Sequence, residues 1–377
     1  MPNRKYFPNE NIKFTYDILD SMVDWVRVVD RNGYVIFTNK SMMNDVGNNN
    51  LESCCYESIG KNHPCNVCIT KATMLTGSVT EKEEIINDRI YSVKSAPIRN
   101  DNDEIYAAVE VFRDVTRERK LEREILEANR IMRDDLEFSR KLQRKVLPSK
   151  GEYGSLKIDY IYEASESLSG DMFDVFKIDD RYTGIYVSDV VGHGVTASMM
   201  TMFIRQTMRS LKDYYIQPGK VISELHKKFL ELQLDDDKYF TIFYGILDCA
   251  DNTFTYANGG HNCIPLLITD ETVKLLKVTG YPVSSLFGSI LYEEESIKFE
   301  VGNKLLLYTD GIIEAKNKYG EQFGLERLRE LAKDRDNNII EVIKKYAKDY
   351  GFNTKEDDFA VIKAKFVREE ETKNFFY

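Results

Sequence analysis

VSDVVGHG, residues 187–194, reads as a buried strand that stops at a carboxylate, Asp189, and then breaks into glycines around His193. A carboxylate at an apolar strand tip leaves water at a cost that a cation or several hydrogen-bond donors must offset. Asp189 therefore needs a partner, either from elsewhere in the chain or recruited from solution.

The rest of the chain limits what that partner is. Its 377 residues and 42% hydrophobic content are enough for two or three domains with cores of their own. A formal net charge of -10 argues against nucleic acid and anionic membranes as partners, and favours cations or basic protein surfaces. No apolar run approaches a membrane span, and the polar opening MPNRKYFPNENIK lacks a signal-peptide core, so the expected compartment is the cytoplasm. Four of the six cysteines crowd between Cys54 and Cys68, a spacing that suits reduced thiols or a metal or redox site better than a secreted disulfide framework.

TRERKLEREILEANRIMRDDLEFSRKLQRKVLPS, residues 116–149, has no glycine and one proline near its end, and predicts one long helix over 117–147. Alternate steps of four and three give Leu121, Ile125, Ala128, Met132, Asp135, Ser139, Leu142 and Val146, an apolar seam with two polar interruptions. The seam predicts a two-stranded coiled coil and hence a homodimer; a solvated single helix is the alternative. Pro148 marks the boundary, because the residue before a proline leaves helical geometry.

Residues 10–116 read as a small α/β domain. A helical pattern over 12–23 precedes WVRVVDRNGYVIFTNK, two β-rich runs around the tight-turn residues Asp30 to Gly33. IYSVKSAPIRNDNDEIYAAVEVFRDVT repeats the arrangement with a polar turn between Arg99 and Glu104. The hairpin VVDRNGYVIFTN and the exit VEVFRDVTRERKLE resemble those of a PAS sensor domain. Within this region CCYESIGKNHPCNVC places Cys54, Cys55, His63, Cys65 and Cys68 as candidate ligands of a zinc ion or an iron–sulfur cluster. A reducible dithiol without metal, or small buried side chains, are the competing readings, since a second C-x-x-C is missing.

Residues 150–367 alternate strand groups with helix groups without regular βαβ order, which predicts an α+β domain of stacked sheets with helices outside. Four aspartates end strands in it: Asp171 in LSGDMFD, Asp189, Asp310 in LLLYTDG and Asp357 in KEDDFAVI. Singly, each is an ordinary turn or cap residue. Together they suit a ring of oxygen ligands around two Mg2+ or Mn2+ ions, the hard cations that take carboxylates and keep several waters.

LQRKVLPS, SGDMFDVFKID, VSDVVGHGVTASMMT, FYGILD, YANGGHNCIPLL, LLLYTDGIIEAKNKYGEQFGLERL and DDFAVI follow, in order and spacing, motifs of the PPM family of metal-dependent serine/threonine protein phosphatases. They are most similar to its bacterial branch, which dephosphorylates anti-sigma-factor antagonists. The resemblance implies an α-β-β-α sandwich and two Mn2+ or Mg2+ ions. It further implies Asp171, Asp189, Asp310, Asp357 and the Val190 carbonyl as metal ligands, with Asp358 the alternative to Asp357. It implies direct hydrolysis of phosphoserine or phosphothreonine by an activated water, without an enzyme nucleophile, on a phosphorylated anti-sigma-factor antagonist. Ser169 and Ser188 stand where the family usually has glycine. His193, between glycines, is read as either a turn residue or a substrate-side catalytic group, and His261 as a turn residue.

Two other classes compete. SGDMF superficially resembles the hairpin of diguanylate cyclases, but Met172 stands where a second acid would be required. A catalytically inactive phosphatase-fold adaptor is the remaining alternative, and retention of all four acids argues against it.

Overall fold

In the computed structural model the described residues are 10–47, 51–333, 338–349 and 357–368. They divide into two compact units at residues 131 and 132, inside one continuous helix.

The first unit contains α1 (Glu10–Ser21), β1 (Trp25–Asp30), β2 (Val35–Thr38), α2 (Lys40–Val46), α3 (Ile69–Thr76), β3 (Thr80–Ile86), β4 (Arg89–Arg99) and β5 (Ile105–Asp114). The strands form one antiparallel sheet in the order β2-β1-β5-β4-β3. Both hairpins fall where turn chemistry predicts them: Asp30 accepts the Asn32 and Tyr34 amides in the first, and Asn100 accepts the Asn102 and Glu104 amides in the second. Trp25, Met42, Ile59, Ile69, Tyr91, Val93 and Phe112 make its core, with the Trp25 and Tyr91 rings stacked 4.4 Å apart. Arg27 and Glu110 face each other in register on β1 and β5 and form a buried ion pair at 2.7 Å.

α4 (Thr116–Val146) coincides with the helix read from the charged stretch, within a residue at each end. Asp114 precedes it and accepts the Thr116 amide at 2.9 Å, an Asx turn that leads the chain into the helix. Leu121, Ile125, Met132 and Leu142 of the seam are exposed.

The second unit adds β6 (Gly151–Tyr153), β7 (Leu156–Glu163), β8 (Asp171–Lys177), β9 (Tyr182–Val190), α5 (Gly194–Ser210), α6 (Pro218–Leu230), β10 (Tyr239–Asp248) and β11 (Thr253–Gly259). There follow β12 (Leu266–Ile268), β13 (Val273–Leu275), β14 (Val283–Ser284), β15 (Glu294–Lys298), β16 (Lys304–Tyr308), α7 (Asp310–Glu314), α8 (Gly324–Ala332), α9 (Ile339–Asp349) and β17 (Phe359–Phe366). The helical pattern of residues 338–350 predicts a last helical residue at Tyr350, which lies outside the described residues. One sheet runs β15-β11-β10-β9-β8, with β14 paired to β10; the other runs β13-β12-β16-β17-β7-β6.

The period of two along each strand sets the layers. Phe173 and Val175 of β8, Ile185 and Val187 of β9, Leu305 and Leu307 of β16, and Ala360 and Ile362 of β17 point into the core between the sheets. Their neighbours face the other way. Met172, Phe176 and Tyr186 pack against α5 and α6, while Leu306, Tyr308 and Val361 pack against α8 and α9. The result is helices, sheet, sheet, helices. Among the described residues no helix is long and apolar enough to cross a membrane.

Candidate functional site

Because Asp171 and Asp189 have the parity of Phe173 and Val187, both carboxylates fall at one edge of the space between the sheets. β8 and β9 are antiparallel, and their register sets Asp171 directly opposite Asp189. Like charges directly opposite each other destabilise a sheet. β16 ends and the antiparallel β17 begins at the same edge, bringing Asp310, Asp357 and Asp358 to it; besides Asp171, the electrostatic neighbours of Asp189 include Asp310, Asp357 and Asp358.

The energetic signature follows. Burial, and then the Asp189 charge, hold the Asp171 carboxyl well above the usual carboxylate range. Burial, and then the charges of Asp310 and Asp357, push Asp189 up to about 8. Asp310 is also raised, by burial, then by Asp357 and Glu314. Among the described residues no lysine or arginine pairs with any of them. The donor set is all oxygen and short of positive charge, which fits hard divalent cations. Among the described residues no three His, Cys, Asp or Glu side chains converge closely enough to enclose an ion as they stand. Mg2+-type sites do not require such a cage, since these ions keep several waters and are held through one or two carboxylates.

The backbone around the acids is fixed by Thr309 and Ser165, which motif reading did not single out, and by Asp358 and Val190 in roles other than ligation. The Thr309 hydroxyl donates to Asp171 at 2.7 Å and accepts the Ala360 amide at 2.9 Å. Asp358 is buried and turned inward: it accepts the Ser165 amide at 2.9 Å, the Ser165 hydroxyl at 3.0 Å and the Gly170 amide. Asp357 is exposed beside Asp310, so the two adjacent acids face different surroundings. Gly170 leaves no room for a side chain, because a Cβ there would lie 2.9 Å from the Val190 carbonyl oxygen. Val190 in turn donates its amide to the Gly170 carbonyl at 3.1 Å.

The two histidines differ. His193 precedes α5, and its exposed ring lies 3.2 Å from Glu166. His261 is buried. Its Nε2 contacts the Tyr308 carbonyl at 3.0 Å and must carry the proton, so its Nδ1 accepts from the Thr241 hydroxyl at 3.0 Å. Burial holds the ring at about 4, below its ordinary 6.5. Thr241 pairs with Asp189 and Tyr308 precedes Thr309, so His261 ties the two carboxylate-bearing sheets together.

In the first unit, Cys55, Cys65 and Cys68 line one small cavity with Arg27, Lys82 and Glu110. The Lys61 ammonium lies 3.9 Å from the Cys65 sulfur, and burial raises the Cys55 thiol. All are free thiols; His63 is exposed and does not line the cavity. The five candidate ligands are thus not gathered as one set.

Residues 179–367, half of the chain, match the model of the stage II sporulation protein E (SpoIIE) family, and the chain belongs to that family. The match includes Asp189, Asp310 and Asp357 and begins after Asp171. The chain is 32% identical over 185 residues to the phosphoserine phosphatase RsbP of Bacillus subtilis, a stretch covering 48% of this chain and 45% of that protein. It is 27% identical over 203 residues to RsbU of the same organism, also a phosphoserine phosphatase by name, covering 53% of this chain and 60% of that one. The chain therefore spans less than two thirds of the length of these relatives. The SiaA-PP2C domain of Pseudomonas aeruginosa superposes with a TM-score of 0.55 at 20% identity, over 63% of this chain and 98% of that domain, and so shares the fold.

Proposed function

We propose that the chain is a divalent-metal-dependent serine/threonine protein phosphatase. The observation that carries this reading is the register pair Asp171 and Asp189, two buried acids held opposite each other with no cationic partner among the described residues. The phosphoserine phosphatase names of RsbP and RsbU support it. Asp171, Asp189, Asp310, Asp357 and the Val190 carbonyl would hold two Mn2+ or Mg2+ ions. When bound, such ions acidify water and neutralise charge developing on phosphoryl oxygens. The chain's own part is to align four carboxylates at one sheet edge, where bound cations would offset the repulsion among them, and to present His193 beside Glu166 on the solvent side, as the group that would pass a proton to a leaving serine oxygen.

The finer reading has a PAS-like sensor over residues 10–116 and control of the phosphatase through a dimeric coiled coil formed by α4. The substrate class is a phosphorylated anti-sigma-factor antagonist. The strand order of the first unit and the exposed apolar seam support the first two parts, and the family supports the third. The thiols around Cys65 are the sensor's reactive groups in this reading, as a dithiol or a metal site; metal content and oxidant response of the purified protein distinguish these.

Phosphate release from a phosphoserine protein by the full chain, with Mn2+ and with chelator, tests the activity. Mn2+-dependent release that disappears in Asp189→Asn supports it. Mn2+ binding without any release would favour the inactive adaptor.

A further inference from the structure

α4 carries many apolar residues, yet its one buried residue among those described is a glutamine, Gln143, only 4% exposed. A buried carboxamide needs partners for every donor and acceptor. Gln143 finds them on one backbone residue. Its Oε1 accepts the Ser169 amide at 3.1 Å and its Nε2 donates to the Ser169 carbonyl at 2.8 Å, as a neighbouring β-strand would. The second Nε2 hydrogen goes to the Thr201 hydroxyl at 3.3 Å, which itself donates to the Ser198 carbonyl at 2.7 Å. An amide N–H only donates and a carbonyl only accepts, so the carboxamide orientation is fixed.

Ser169 stands two residues before Asp171, and its hydroxyl accepts the Asp171 amide at 3.0 Å. The next residue, Gly170, is held by Asp358 and Val190. The segment entering Asp171 is thus clamped from three elements, and α4 supplies the clamp on Ser169.

We infer that Gln143 is a positioning residue for Asp171, through which the seating of α4 sets the divalent-cation affinity of the carboxylate site. This rests on reading the carboxylates as cation ligands. Groups hydrogen-bonded to a metal ligand typically change metal affinity about ten- to hundredfold when lost; Gln143 reaches Asp171 through Ser169, which puts its effect at the lower end of that range. Displacing α4 would therefore lower affinity without altering any ligand.

The test is calorimetric titration of the full-length protein with Mn2+, alongside the Mn2+ dependence of phosphoserine-protein hydrolysis. Gln143→Leu keeps the bulk and removes both bonds to Ser169. It is expected to weaken Mn2+ binding about tenfold or more and to shift the half-activating Mn2+ concentration equally, with kcat at saturating Mn2+ within about threefold of wild type. Gln143→Asn, which only shortens the arm, serves if the leucine variant does not fold and is expected to weaken binding in the same direction. Thr201→Val, which leaves the Ser169 bonds intact, should bind Mn2+ as wild type does. Unchanged Mn2+ affinity in the Gln143 variants overturns the inference, as does a wild-type protein that binds no Mn2+. If wild type binds Mn2+ but releases no phosphate, and the Gln143 variants bind more weakly, the positioning role stands and the phosphatase reading fails.

Discussion

The Thr309 hydroxyl and the Asp171 carboxylate, 138 residues apart in sequence, meet at 2.7 Å and join the end of β16 to the start of β8. The same hydroxyl accepts the Ala360 amide, so one side chain fixes three strands at the carboxylate edge. Thr309→Val keeps the shape and removes both bonds. It should lower stability by about 1–3 kcal/mol, the cost of leaving a buried amide unsatisfied. Urea unfolding measures that loss, and a Mn2+ titration of the same variant should show weaker binding.

Asp189→Asn should nearly abolish Mn2+-dependent phosphoserine hydrolysis while leaving the fold intact. It also removes one of two like charges opposed in register. The metal-free variant should therefore melt higher than the metal-free wild type, and Mn2+ should raise its melting temperature less. A variant that melts lower in chelator would show that the pair is not a repulsive one.

Asp357 and Asp358 should separate cleanly. Asp358 accepts three hydrogen bonds in a buried setting, and bonds to a charged group contribute about 1.5–3 kcal/mol each. Asp358→Asn places an amide NH2 against those donors and should cause a marked drop in melting temperature. Asp357→Asn, which removes a charge that repels Asp189 and Asp310, should not lower melting in chelator and should weaken Mn2+ binding. For Mn2+ binding the sequence-based assignment of Asp357 as the ligand predicts a smaller effect of Asp358→Asn than of Asp357→Asn, and the inward orientation of Asp358 adds a stability loss of its own.

His261 gives a pH dependence of defined sign. The unfolded chain takes up a proton on this residue below about 6.5, whereas the folded protein resists it down to about 4. The stability that the neutral ring contributes is complete above pH 6.5 and declines as pH falls toward 4, by about 1.4 kcal/mol per unit. His261→Gln should be less stable than wild type at pH 7.5, with a gap that narrows between pH 6.5 and 4.5. Denaturant titrations at several pH values check this; a constant gap would mean the ring titrates normally.

Asp135 and Ser139 interrupt the exposed seam of α4. Replacing both with leucine should strengthen self-association, seen as a lower dissociation constant in sedimentation equilibrium, and hold activity in one state, high or low. Monomeric wild type at micromolar concentration, together with unaltered activity and regulation in the double variant, would remove dimerisation through the seam from the role of α4.

The sequence shows most of the long elements because each carries a strong periodic or turn signal. The Asp30 and Asn100 turns, the glycine-free run of α4 and the apolar, β-branched and aromatic runs of β8 to β10 are examples. Short strands such as β12 to β15 escape it: β15, EESIK, has one apolar residue and pairs along an edge. The acids of the candidate site are legible because each flanks an apolar strand, Asp171 and Asp357 before β8 and β17 run on, and Asp189 and Asp310 where β9 and β16 finish. Their supports are not. Gln143 sits in a charged helix and reads as part of a solvated face, and Thr309 reads as an ordinary strand residue. Asp174, buried in β8, is read as part of an apolar run, although Arg209 holds it with two bonds at 2.8 and 2.9 Å. Each of these depends on a partner distant in sequence, which periodicity cannot reveal.

The bond from the Gly170 amide to Asp358 spans 188 residues, and this imposes an order on synthesis. At about 5–20 residues per second, translation needs roughly 10–40 s to travel from one partner to the other. During that interval β8 and β9 can pair, because their contacts are local, but the turn entering Asp171 lacks its anchor from β17. A nascent chain therefore carries the opposed acids before it can hold them in place. The final strand acts as a timer that delays completion of the carboxylate edge until nearly all of the second unit has been made.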